Sequence, residues 1–336
     1  MCNDGTADFK PAPVLIGLPE RALPAFERMA AEKMLPPGMI AVPLSDDLSQ
    51  LPGDLKDVEV LWRTTQMGSD WTLRAVSLLP SLRWVHSDAV GIDFLPLEEL
   101  SARQIILSNG SGNFERPMAE WCVLAILAAS KQLARFVRQS DAGIWKRGGE
   151  LEELEGKRLL ILGLGGVGTL TASMVRPFGM RVTAVSRRPR DRVPEGVDSV
   201  VGPSQWRERL DHTDFLVCAL PLTSQTRGML DEQVFSALPS SAWVINVARG
   251  ALIDESALIT ALDSTAIAGA VLDAFVEEPL PPEHPLWRRD NVLVLPHHTW
   301  SSKRVPGRIL ELFADQLGRW SRGEPLRNVV DLSAGY

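Results

Sequence analysis

The stretch LILGLGGVGTLTASMVRPFGMRVTAVSRRPR, residues 160–190, decides the fold. An apolar run, RLLIL, leads into Gly163, Gly165 and Gly168, which make the spacing GxGxxG. That spacing is common by chance. Here it lies between a strand-like run and a helical pattern carrying Val167, Leu170, Met174 and Val175, which is the context that gives it meaning. Gly163 permits a tight turn, Gly165 lets the backbone approach a pyrophosphate, and Gly168 lets the helix pack closely on the strand. The N–H groups at the helix start, through Gly166 and Val167, carry the positive end of the helix dipole toward the phosphates. The stretch therefore predicts a dinucleotide-binding βαβ unit.

Its ending selects among dinucleotides. The next strand, MRVTAVS, ends at Ser186 and is followed by Arg187 and Arg188, where an Asp or Glu would grip the ribose 2′-OH of NAD. A carboxylate repels a 2′-phosphate, whereas a hydroxyl and two guanidiniums attract it. The expectation is NADP(H) in preference to NAD(H), with Ser186 and Arg187 as first contacts and Arg188 next. Solvated surface charge is the competing account of the two arginines.

At 336 residues the chain suits two domains. With 45% hydrophobic and 23% charged residues it has the composition of a globular enzyme. A formal net charge of −7 argues against a nucleic-acid partner. Cys2, Cys122 and Cys218 offer neither a disulfide framework nor a CxxC metal spacing, so no metal is expected. Cys122 and Cys218 sit in apolar runs and read as small buried hydrophobes. No signal peptide is read at the N-terminus, and the longest strongly apolar stretch, Trp121 to Ala129, is far short of the roughly 20 residues a membrane span needs. A cytoplasmic protein with no membrane association is expected.

Working outward, PVLIGL, VEVLWR, LRWVHS and QIILSN read as strands of a first αβ region. A single helical pattern runs from about Arg116 to Arg138. A second αβ series carries the strands RLLILG, MRVTAVS, DFLVCAL, AWVINVA, AIAGAVLD and NVLVLP, with Asp254 as a helix N-cap. A final amphipathic helix includes Val305, Ile309, Leu312, Phe313, Leu317 and Trp320. The fold class expected is α/β: two Rossmann-like doubly wound parallel-sheet domains with an interdomain cleft. Residues 1–112, completed by 299–336, form the substrate domain and 113–298 the dinucleotide-binding domain, with hinges near Asn113 and Trp300.

Three further stretches follow predicted strand ends, where open α/β sheets bind ligands: NVARGALIDESAL (246–258), AVLDAFVEEPLPPEHPLW (270–287) and NVLVLPHHTW (291–300). They offer an arginine, an acid and a histidine. Reduction of a 2-oxo acid uses these types: a guanidinium to hold the carboxylate and polarise the carbonyl, an imidazolium to deliver the proton, and a carboxylate to orient that imidazole. From the residues alone Glu277 competes with Glu278, and His297 with His298, since strand neighbours point to opposite faces.

With GLGGVG and ALPLTSQTRGML (219–230), these motifs resemble the D-isomer-specific 2-hydroxyacid dehydrogenase family, and within it the glyoxylate/hydroxypyruvate reductase-like branch. The resemblance spans nearly the whole chain and implies NAD(P)-dependent reduction of a small 2-oxo acid to the D-2-hydroxy acid. By position it implies Arg249 as substrate clamp, Glu278 as histidine partner and His297 as general acid. It also implies Asp273 at the nicotinamide carboxamide, with Leu220, Pro221, Val247 and Ala248 along the nicotinamide–ribose side, joined there by Arg249 and His297. Val90 and Gly91 match the loop whose amides receive the substrate carboxylate. A homodimer built partly on the long helix and SDAGIWKRG is implied as well.

The chain departs from the family pattern at Asp88, beside that carboxylate loop, and at Trp300, which reads either as a pocket wall or as interface packing. Arg63 reads as surface charge, with a second anion contact as the alternative. A dinucleotide-sensing corepressor-type binder and a formate- or phosphite-oxidising relative are the competing functions.

Overall fold

The computed structural model describes residues 13–49, 55–187 and 192–333. The chain divides into two compact units, Met1–Asn113 with Lys303–Tyr336, and Phe114–Ser302.

The first unit runs β1 (Val14–Pro19), α1 (Leu23–Ala31), β2 (Met39–Leu44), β3 (Val58–Arg63), α2 (Ser69–Leu78), β4 (Trp84–Ser87), α3 (Leu97–Ala102) and β5 (Ile106–Ser108). Its strands are all parallel in the order β2-β1-β3-β4-β5. This is the flavodoxin-like variant of a doubly wound sheet. Four of these strands are those expected from the sequence, and β2 is additional. That strand lies at an edge and carries Pro43, a residue that weakens a strand signal because it cannot donate to a ladder.

The second unit contains α4 (Glu115–Ser130), α5 (Leu133–Asp141), β6 (Arg158–Leu162), α6 (Gly166–Val175), β7 (Arg181–Val185), β8 (Ser199–Val201), β9 (Phe215–Cys218), α7 (Glu232–Ala237), β10 (Trp243–Asn246), α8 (Glu255–Asp263), β11 (Gly269–Leu272) and β12 (Val292–Val294). The sheet order is β12-β11-β10-β9-β6-β7-β8 and every pair is parallel. The chain reverses its direction of winding between β6 and β9, and the crevice at such a switch point is where dinucleotides bind. The six strands expected are present, joined by β8, an edge strand, SVV, with only two apolar residues to signal it.

One expectation is corrected. The helical pattern from Arg116 to Arg138 is two helices, not one. Gln132 takes a left-handed backbone, φ 50°, between α4 and α5. At the break Lys131 donates to the Glu152 carbonyl (2.6 Å) and Gln132 to the Glu150 carbonyl (3.0 Å). Half of the residues of α4 are buried, whereas α5 has no buried residue.

Elsewhere the local reading holds. Asp254 caps α8, its carboxylate accepting from the Ala257 N–H at 3.1 Å. The last helix, α9 (Val305–Ser321), places Leu310, Phe313 and Leu317 against Ile16, Trp62 and Trp84 of the first sheet. Cys122 and Cys218 are buried, and burial pushes both thiols up to about 12, which leaves them unreactive. Among the described residues no helix is long and apolar enough to cross a membrane.

Candidate active site

The glycine turn after β6 has the shape its residue types require. Gly163 has φ +105°, and a Cβ there would lie 2.4 Å from the Ala219 carbonyl oxygen. At Gly168 a Cβ would meet the Gly163 carbonyl oxygen at 2.1 Å, so α6 packs on β6 at a distance only glycine allows. Gly165, the N-cap of α6, has nothing within 4 Å of its Cβ position. That open side at a helix N-terminus fits a pyrophosphate. Gly166 and Val167 begin the helix. Gly166 faces Glu115, whose Cγ would be 2.3 Å from an added Cβ.

Ser186 and Arg187 leave the end of β7, the Ser186 N–H donating to Val201 at 3.0 Å. Arg188 lies outside the described residues. Leu220 and Pro221 follow β9, and Leu220 packs on the core. Val247, buried, and Ala248 follow β10.

Arg249 stands three residues beyond β10 on a turn fixed by Asn246, a fully buried side chain the sequence reading did not single out. The Asn246 amide donates to the Arg249 carbonyl (2.9 Å) and accepts from the Ala248 N–H (3.1 Å). Its signal was available: an Asn at a strand end commonly folds the following residues into an Asx turn. Gly250 completes the clamp, since a Cβ there would fall 2.0 Å from the Phe275 carbonyl carbon. The Arg249 guanidinium donates to the Ala248 carbonyl at 3.0 Å.

Glu278 lies on the loop after β11, the neighbour of β10, and His297 just beyond β12, the edge strand next to β11. The Glu278 carboxylate accepts from the Phe275 N–H (2.8 Å) with one oxygen and contacts His297 Nδ1 (2.7 Å) with the other. Both side chains are partly exposed. Pairing at Nδ1 orients the ring and turns Nε2 away from Glu278. Of the adjacent acids and adjacent histidines, the hydrogen-bonded pair is Glu278 with His297. The His297 backbone is left-handed, φ +51°, a conformation that costs a side-chain-bearing residue about 1–2 kcal/mol.

Asp273 is almost fully buried, and its carboxylate accepts from the N–H groups of His298 (2.8 Å) and Thr299 (3.1 Å) and from the Thr299 hydroxyl. It ties the chain after His297 to the end of β11. A carboxylate has about four acceptor positions, so a further donor can still be received.

In the first unit, Val90 and Gly91 follow β4. Val90 is exposed, and its carbonyl accepts from Asn109 at 3.0 Å. Arg63 is not the surface charge expected: it is 2% exposed at the end of β3. Its guanidinium lies over the Phe94 ring at 4.5 Å and donates to the Met67 carbonyl. Burial lowers Arg63 to about 10, opposed by the charge of Asp88. Asp88 is likewise buried, and burial raises it to about 7 against the Trp62 indole hydrogen bond (2.8 Å) and the Arg63 charge. Asp88 therefore faces inward to Arg63 and Trp62. Arg63→Met removes a buried guanidinium's hydrogen bond to Met67 and its stacking on Phe94 and is expected to cost about 1–3 kcal/mol, read from the urea midpoint. A loss under about 0.5 kcal/mol, the surface-residue range, would return Arg63 to the surface-charge account.

The sequence model of the D-isomer specific 2-hydroxyacid dehydrogenase, NAD binding domain, matches residues 123–299. A glyoxylate reductase of Pyrococcus horikoshii is 32% identical over 253 residues, 73% of this chain and 75% of the relative. Among solved structures, a D-isomer specific 2-hydroxyacid dehydrogenase from Xanthobacter autotrophicus in complex with NADPH and MES superposes with a TM-score of 0.81 at 29% identity, covering 97% of this chain and 100% of the other. An NADPH-dependent glyoxylate/hydroxypyruvate reductase from Sinorhizobium meliloti, in complex with NADP and sulfate, gives 0.79 at 29% identity with the same coverage.

Proposed function

The chain belongs to the D-isomer specific 2-hydroxyacid dehydrogenase family, and from that premise we propose that it reduces a small 2-oxo acid of the glyoxylate or hydroxypyruvate class to the D-2-hydroxy acid, preferring NADP(H) and accepting NAD(H). The observation that carries the reading is the Glu278–His297 pair at 2.7 Å, presented after β11 and β12, the two strands that follow β10 toward the sheet edge, with Arg249 presented after β10 itself. The relatives named above support it through what they act on and bind.

A bound nicotinamide dinucleotide would supply the hydride. The turn from Gly163 to Gly168 would hold its pyrophosphate, and Ser186 and Arg187 its 2′-phosphate. Leu220, Pro221, Val247 and Ala248 would line the nicotinamide–ribose side, with Asp273 toward the carboxamide. Arg249 binds the substrate carboxylate and polarises the carbonyl, and the Val90 and Gly91 amides receive the same carboxylate. His297 Nε2 gives its proton to the carbonyl oxygen. Glu278 orients the ring and faces its positive charge. The unit Phe114–Ser302 is read as the dinucleotide domain and the other as the substrate domain, in a cytoplasmic homodimer that uses α4, α5 and the segment 140–148.

The test follows the dinucleotide at 340 nm with glyoxylate, hydroxypyruvate, pyruvate, phenylpyruvate and branched-chain 2-oxo acids, using NADPH and NADH in parallel. The small acids should turn over, with kcat/KM at least about tenfold higher for NADPH, as one charge-assisted phosphate contact predicts. No turnover with any acid overturns the reading; a preference for NADH overturns its cofactor half.

A further inference from the structure

We propose that Trp300 is a positioning residue for His297: its indole N–H holds the His297 carbonyl in the turned backbone that aims the imidazole at Glu278. The inference rests on the reading of His297 as the proton donor.

The geometry is direct. Trp300 Nε1 donates to the His297 carbonyl at 2.9 Å. The indole N–H is a donor only, so the direction of this bond is unambiguous. His297 is the one position in the 297–301 turn with a positive φ, +51°. A residue with a Cβ stays in that region only where its surroundings over-determine it. Two holds converge on this turn. From inside, Asp273 takes the N–H groups of His298 and Thr299. From outside, Trp300 takes the carbonyl of His297 itself.

The Trp300 ring is fixed in turn. It stands edge-on to Phe114 (centroids 6.0 Å, 89°) and packs against the His298 ring at 5.5 Å. It is nevertheless 39% exposed, so burial of the ring does not account for its placement.

The consequence concerns the proton donor alone. Relaxation of φ at His297 toward the extended basin would swing its Cβ and draw the imidazole off Glu278. Arg249 and the glycine turn have separate anchors, in Asn246 and Gly250 for the first and in β6 and α6 for the second. A defect at Trp300 should therefore appear in the proton-transfer step and not in ligand binding.

Trp300→Phe removes the N–H and keeps a ring against Phe114. Its kcat should fall about tenfold, the order expected for a slightly misplaced catalytic group, while KM for the 2-oxo acid and for NADPH changes less than about twofold. Two NMR readouts need no turnover. In the wild-type protein, the Trp300 indole N–H signal, assigned by its loss in Trp300→Phe, should exchange with water at least about tenfold more slowly than a free indole. The His297 ring signals, assigned by their loss in His297→Asn, should move in Trp300→Phe. Free-indole exchange, unmoved His297 signals, or an unchanged kcat would each overturn the proposal. If the wild-type protein reduces no 2-oxo acid, the functional reading fails, while the two NMR results still decide whether Trp300 holds His297.

Discussion

His297→Asn is expected to lower kcat for 2-oxo acid reduction by about 10³-fold, within the range that a positioned general acid contributes. Asn is close to the imidazole in size at its Nδ1 side and can still donate an N–H toward Glu278, so the Glu278 carboxylate is not stranded. What it lacks is a nitrogen that can surrender a proton to the carbonyl oxygen. NADPH affinity, measured by fluorescence titration, should stay within about twofold, because the turn that would hold the dinucleotide is built from β6 and α6, apart from the loop after β12. Glu278→Gln should lower kcat less than His297→Asn does, since its amide can still contact the ring but carries no charge to face the imidazolium. A His297→Asn protein with wild-type kcat would remove His297 from the reaction.

The second large effect is expected at Arg249. Arg249→Ala should lower kcat/KM for the 2-oxo acid by about 10³-fold, because it loses a bidentate carboxylate contact and a cation beside the polarised carbonyl. Arg249→Lys should recover only part of this, since an ammonium has no planar fork. The loss can be assigned to the side chain: the backbone of the turn is fixed by the Asn246 amide on the Arg249 carbonyl and by the contact of Gly250 with Phe275. Thermal melting should therefore be nearly unchanged. Wild-type kcat/KM in Arg249→Ala would exclude it as the substrate clamp.

Much of this was legible in the chain. The run RLLIL followed by Gly163, Gly165 and Gly168 announced β6 and α6, because both the hydrophobic period and the turn chemistry are local. What escaped was non-local or small. β2 and β8 are edge strands, one interrupted by Pro43 and the other with only two apolar residues. The break at Gln132 escaped because apolar periodicity continues across it, while the polar partners that turn the chain stand about twenty residues further on. Arg63 was taken for surface charge because its partner Asp88 is twenty-five positions away, and nothing near Arg63 in sequence marks it as enclosed. At the site, the types Arg, Glu and His could be argued from chemistry, and the choice of Glu278 over Glu277 came from resemblance. Only the structure supplied the reason: the Phe275 N–H turns the Glu278 carboxylate toward His297.

The backbone-to-backbone approach of Gly250 and Phe275 has a bearing on redesign. It seats the arginine-bearing turn directly on the acid-bearing loop, with no room for any side chain at Gly250. Attempts to widen acceptance toward larger acids have little to gain there. The adjacent Val276, two-thirds solvent-facing, is where this loop can change without meeting packed backbone.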